Sequence, residues 1–178
     1  PAGVGKTRLA LEAASRSTAP GGAWLVRLDT VDATADLTLV VAETLHVTGG
    51  AAALTERLSG AETLLLLDNC EHVVDGVAAL VRVLLDAAPA LRVLATSQTP
   101  LGLEDEDVHA LAPLSQEDSV ELFSQRARRL RRGFVVDETN EAVVEEVCQA
   151  LDGLPLAIEL AAARVRSLPV EEIAARLA

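Results

Sequence analysis

Residues 63–67 (TLLLL) form an uninterrupted apolar run that ends at Asp68. A strand with one face in water alternates polar and apolar side chains. A run without alternation fits a strand covered on both faces, as in a parallel sheet. Segments 23–28 and 91–95 are short and apolar in the same way, and 108–111 reads as one more strand. Helical patterns separate them. One covers 7–16 and is broken by Pro20-Gly21-Gly22; others cover 36–45 and 51–58, with a loop at 46–50 between them. Then Val73, Val74, Val77, Leu80, Val81, Leu84 and Leu85 recur at helical spacing up to Pro89. Strands alternating with helices predict an α/β fold, a parallel sheet with helices on both faces.

The character changes after Pro113. Segments 115–130, 138–151, 155–166 and 170–177 all read as helices. Ser115 with Asp118, and Asp137 with Asn140 and Glu141, supply N-terminal cap residues. The expected organisation is therefore an α/β domain over 1–112 and a small all-helical subdomain over 113–178. No internal repeat is visible.

Lys6 is the only lysine in the chain, against fourteen arginines, and it sits in Gly3-Val4-Gly5-Lys6-Thr7. G-x-G-K-T is the second half of the phosphate-binding pattern G-x-x-x-x-G-K-[ST], whose first glycine would fall one position before Pro1. The chain is thus expected to begin inside a motif and to be a piece of something larger. The chemistry of the motif is specific. Glycines let the backbone take φ > 0 and approach an anion closely. The amides then form a nest, to which the following helix adds its positive end. Lys6 would reach the β- and γ-phosphates as a point charge, and Thr7 would put its hydroxyl on Mg²⁺. The plain alternative is a surface turn.

Asp68 closes its apolar strand as a Walker B carboxylate does, holding Mg²⁺ beside the threonine of the loop. Many strands end in Asp, so by itself the residue could equally cap the next helix. The pair with the glycine-rich loop carries more than either part. Vigorous P-loop ATPases often carry a second acid after this Asp. Here that position is Asn69, which cannot act as a base. Glu71 could replace it through a water, or could be a carboxylate favoured by the start of the next helix. Slow hydrolysis follows.

Thr96-Ser97-Gln98 ends the next apolar strand, on the carboxyl side where open α/β sheets bind ligands. Ser97 and Gln98 there could read a γ-phosphate, or simply lead the strand into a loop. Gly153-Leu154-Pro155 opens an apolar helix, and a proline in the first turn is an ordinary helix start.

Composition narrows the possibilities further. With half its 178 residues hydrophobic but only 2% aromatic, the chain can build a core from Leu, Val and Ala. A net charge of −12 argues against direct nucleic-acid binding by this segment, because phosphate contacts need positive charge. Arg126, Arg128, Arg129, Arg131 and Arg132 cluster near a helix C-terminus, where the dipole favours them. Cys70 and Cys148 have no metal spacing and fit buried small hydrophobes in a reducing, cytoplasmic setting. The run Glu104-Asp105-Glu106-Asp107 reads as a solvated acidic loop, with metal binding the lesser reading. No membrane-length apolar run and no signal-peptide pattern is present.

Taken in order, GVGKTRLALEAA, LLLLDNCEHVVD, LRVLATSQTPLG, LPLAIELAAARVRSL and EEIAARL span nearly the whole chain. The combination resembles the STAND class of P-loop NTPases, and within it the NB-ARC-like domain of SARP-type and LuxR-type transcriptional regulators of actinobacteria. The resemblance implies an ATP- or ADP-binding switch with Mg²⁺ as cofactor. It implies nucleotide contacts from Gly3, Val4, Gly5, Lys6, Thr7, Arg8, Ser97, Gln98 and Pro155, the last packing on the adenine. Thr7 and Asp68 would hold the metal, and Asp68 and Glu71 would serve hydrolysis. ADP would keep such a switch closed; ATP and an inducer would open and oligomerise it. DNA-binding and helical-repeat sensor domains would share the polypeptide. Two rivals belong to other classes: a rapid ATPase, and a degenerate scaffold that no longer binds nucleotide. The resembled family commonly has Arg where this chain has Gln98, which weakens γ-phosphate sensing. The family also has a strand before the P-loop, inside the sheet. Without it the sheet is expected to carry unpaired backbone groups and to fold poorly alone.

Overall fold

A computed structural model describes residues 2–177. The three apolar segments pair as expected: β1 (Ala23–Arg27), β2 (Thr63–Asp68) and β3 (Leu91–Ala95) form a parallel sheet in the order β1-β2-β3. Ala23 lies opposite Leu64 and Arg27 opposite Asp68, while Leu67 lies opposite Ala95. Asp68 and Thr96 thereby come to the same carboxyl edge. Segment 108–111 is irregular instead of a fourth strand. Its apolar residues favour extended backbone, but a strand exists only where a ladder partner does. No described residue pairs with it.

Among the described residues, eight α-helices accompany the sheet: α1 (Lys6–Ser15), α2 (Leu37–Thr44), α3 (Gly50–Ser59), α4 (Val74–Ala87), α5 (Gln116–Leu130), α6 (Glu141–Ala150), α7 (Pro155–Ala163) and α8 (Val170–Ala175). Short 3₁₀ turns at Cys70–His72 and Arg164–Arg166 adjoin α4 and α7. The chain divides into two compact units, one of Lys6–His109 and one of Pro1–Gly5 with Ala110–Ala178.

In the first unit, Leu65 and Leu67 join Val26, Leu28, Val41, Leu54, Leu58, Val77, Val81 and Leu84 in one core. Alternation turns Leu66 to the other face, where it is also buried, and α1 packs on β2. The unbroken leucine run is therefore covered on both sides. Trp24 sits half-buried at the edge of this core. Its indole N–H donates to the Gly21 carbonyl at 2.9 Å, and the Arg57 guanidinium lies 5.8 Å from its ring centroid.

The second unit is built on Phe123, Ala127, Val144, Val147, Cys148, Ile158, Ala162, Val165 and Ile173, from α5 to α8 and the 3₁₀ turn after α7. Ser115 caps α5 as expected, accepting the Asp118 amide at 3.1 Å. Asp137 does not cap α6. Its carboxylate accepts the Thr139 amide at 2.9 Å and the Thr139 hydroxyl, closing a turn of its own, and the helix begins at Glu141. Arg126 leaves the basic cluster to pair with Glu159 of α7 through Nε and Nη2, at 3.0 and 2.7 Å. Gly153 has a physical reason to be glycine. Its φ is +65°, and a Cβ there would lie 2.4 Å from the Leu114 carbonyl oxygen. The Leu114 amide in turn donates to the Gly153 carbonyl at 2.9 Å.

Candidate functional site

Within the unit of Lys6–His109, three chain segments meet at the carboxyl edge of the sheet. The Thr7 hydroxyl, in the first turn of α1, donates to Asp68 Oδ1 at 2.7 Å across 61 positions of sequence. The Thr96 hydroxyl, just beyond β3, donates to the same oxygen at 2.6 Å and accepts the Asn69 amide at 3.0 Å. Neither hydroxyl uses Oδ2. Asp68 is 8% exposed, and its two hydroxyl donors set its rotamer. It accepts from side chains of two other segments, which a helix-capping Asp would not do.

The β3 register explains Thr96. Its amide donates to the Leu67 carbonyl and its carbonyl accepts the Cys70 amide, both at 2.9 Å, so the strand's pairing places the hydroxyl over Asp68. Sequence reasoning quoted Thr96 but assigned the site roles to its neighbours. The usable signal was a hydroxyl as the first polar residue after a buried strand, level with Asp68 on the next one. Ser97 instead accepts the Thr99 amide at 3.2 Å and forms a turn. Gln98 donates its side-chain amide to Glu71 Oε1 at 2.9 Å.

Asn69 takes φ +67° immediately after Asp68. Asn is among the few residues that enter this region at low cost. The turn it makes leads into Cys70–His72, so Glu71 precedes α4, whose own first-turn acid is Asp75. Cys70 is fully buried and its thiol is pushed up to about 12, first by burial, then by the charges of Glu71 and Asp68. Burial with the charge of Glu145 likewise raises Cys148 to about 11. Both are structural thiols and neither is a nucleophile at neutral pH.

Lys6, Thr7 and Arg8 occupy the first turn of α1. The two loop glycines before it take φ +76° (Gly3) and +100° (Gly5). In the unit that holds them, Gly3 accepts the Leu156 amide at 3.2 Å, and a Cβ on Gly3 would stand 3.3 Å from Leu156 Cβ. A Cβ on Gly5 would meet Pro155 at 4.0 Å, and Val4 is buried. Pro155 opens α7 at its first helical position. In the acidic loop, Glu106 accepts the amides of Leu101, Gly102 and Leu103 at 2.9, 2.7 and 3.4 Å. That carboxylate closes its own loop. Among the described residues no cluster of three His, Cys, Asp or Glu could hold a metal ion, and no helix is long and apolar enough to cross a membrane.

No family model matches the chain. It is 41% identical over 178 residues to a protein of Mycobacterium tuberculosis named "Putative HTH-type transcriptional regulator", a match that takes in 97% of this chain and 20% of that protein. A protein of Mycobacterium bovis with the same description matches equally. An uncharacterized protein of Mycobacterium tuberculosis is 40% identical over 185 residues, which is 99% of this chain and 47% of that protein. The chain thus spans a fifth of the length of the first relatives and about half of the other's.

Proposed function

We propose that this chain is the ATP- or ADP-binding switch domain of a larger bacterial transcriptional regulator, of the STAND and NB-ARC-like kind, with slow hydrolysis or none. The observation that carries the reading is the convergence of Thr7 and Thr96 on Asp68, with two positive-φ glycines, Gly3 and Gly5, just before Lys6 in the sequence. A hydroxyl and a carboxylate 2.7 Å apart are hard oxygen donors that fit Mg²⁺. Thr7 and Asp68 would hold it, and when bound it would neutralise phosphate charge. Lys6 would reach the phosphates, with Arg8 beside them and amides of Val4 and Gly5 in the nest. Ser97 and Gln98 would stand toward the terminal phosphate, and Pro155 would pack on the base.

The transcriptional context rests on the description of the 41% identical relatives. DNA-binding and sensor parts would belong to the rest of the polypeptide in the cytoplasm, and oligomerisation would follow nucleotide exchange.

The test is to purify the full-length protein, denature it and identify released nucleotide, with Lys6→Ala as control. ADP from the parent and none from the variant is the expected result. A parent that carries no nucleotide and binds neither added ADP nor ATP would sink the switch and leave a scaffold.

A further inference from the structure

Every polar group of Thr96 is engaged: its amide on Leu67, its carbonyl on Cys70, and its hydroxyl on both Asp68 and the Asn69 amide. An amide N–H can only donate. The Thr96 oxygen must therefore accept from Asn69, at 3.0 Å, and its single proton goes to Asp68 Oδ1, at 2.6 Å. The residue is 5% exposed, so its hydroxyl has neither a proton nor an open path to offer a phosphate. Whatever Thr96 does at the site, it does through Asp68.

The Thr7 hydroxyl is fixed in the same sense. Its one proton also lies on Asp68 Oδ1, at 2.7 Å, which leaves its oxygen lone pairs for another group. Asp68 Oδ2 accepts no hydrogen bond from the described residues. The network thus runs one way, from the Asn69 amide through Thr96 to Asp68. It settles which oxygens keep lone pairs to give, Thr7 Oγ1 and Asp68 Oδ2, and both are hard donors of the kind Mg²⁺ takes.

We infer that Thr96 is a positioning residue for the divalent cation that accompanies bound nucleotide, holding Asp68 without touching the metal. This rests on the nucleotide reading above and adds to it a residue that has no role there. A ligating carboxylate keeps its geometry through hydrogen bonds from groups behind it. Of the two bonds to Oδ1, the one from Thr7 comes from a group that would itself be a ligand. Thr96 supplies the other, and its own place is set by strand pairing and by the turn at Asn69.

The experiment uses the full-length protein and a fluorescent ADP analogue, with affinity measured in EDTA and across a Mg²⁺ titration. The readouts are the affinity without metal and the Mg²⁺ concentration at half-maximal gain in affinity. Thr96→Val should raise that concentration about 10–100-fold while the affinity in EDTA stays within about twofold. Thr96→Ser should restore the parent's value, because the hydroxyl is what acts. Thr96→Cys keeps a weak donor and serves where the valine variant does not fold; its Mg²⁺ requirement should exceed that of Thr96→Ser. Four results would overturn the inference: Thr96→Val weakening binding equally with and without Mg²⁺, Thr96→Ser needing as much Mg²⁺ as Thr96→Val, Thr96→Cys needing no more than the parent, or a parent whose nucleotide affinity ignores Mg²⁺. A parent that binds no nucleotide in either condition removes the nucleotide reading itself, and the EDTA measurement separates that outcome from the other four.

Discussion

Thr96 Oγ1 makes two bonds at once, donating to Asp68 Oδ1 and accepting the Asn69 amide, inside a residue that is 5% exposed. Thr96→Val keeps the shape and removes both bonds, leaving a buried amide and a carboxylate oxygen short of a donor. The expected cost is about 1–3 kcal/mol of stability, read from urea unfolding, whereas Thr96→Ser should retain most of it. An unchanged stability in Thr96→Val would mean that the hydroxyl and its two bonds contribute nothing, and a loss in Thr96→Ser as large as in Thr96→Val would mean that the methyl group contributes as much as the bonds. This residue also marks a limit of sequence reading. Asp68 and Thr7 stand in recognisable patterns, but Thr96 acquires its place only from register. Leu67 opposite Ala95 is a fact of strand pairing, which no local pattern encodes.

At the scale of elements, legibility followed locality. β2 was readable because a strand covered on both faces needs no partner to announce itself, whereas β1 and β3, only partly buried, were readable as short apolar runs between helical patterns. Segment 108–111 failed for the opposite reason, having the propensity without a neighbour. The two helix starts in the helical unit divide the same way. Ser115 and Asp118 meet the cap pattern, and the bond forms at 3.1 Å. Asp137 carries the same chemistry but has Thr139 two positions on, and the nearer hydroxyl and amide capture it. That turn holds the Asp137 carboxyl below the usual carboxylate range, through the Thr139 side chain first and its amide second. The cap at Ser115 predicts that Ser115→Ala destabilises the chain by about 1 kcal/mol in chemical unfolding. An unchanged midpoint would show that the Asp118 carboxylate supports the helix without the serine.

At the scale of the whole chain, most of the buried apolar residues fall into two cores that share no member among the described residues: one around Leu54, Leu65 and Val77, the other around Phe123, Val147 and Ile158. Packing energy is local, since a cavity costs the contacts of the atoms that lined it. Two cores without common residues should therefore respond separately. Leu54→Ala should cost about 2–5 kcal/mol and Ile158→Val about 0.5–1.5 kcal/mol, each within its own unit. Amide exchange distinguishes the cases, because protection reports the opening of each cooperative region. Leu54→Ala should lower protection in the strands and in α2, α3 and α4 while α5 to α8 keep theirs. Ile158→Val should do the reverse. If both variants instead lower protection everywhere by the same amount, the chain unfolds as one cooperative body despite its two cores.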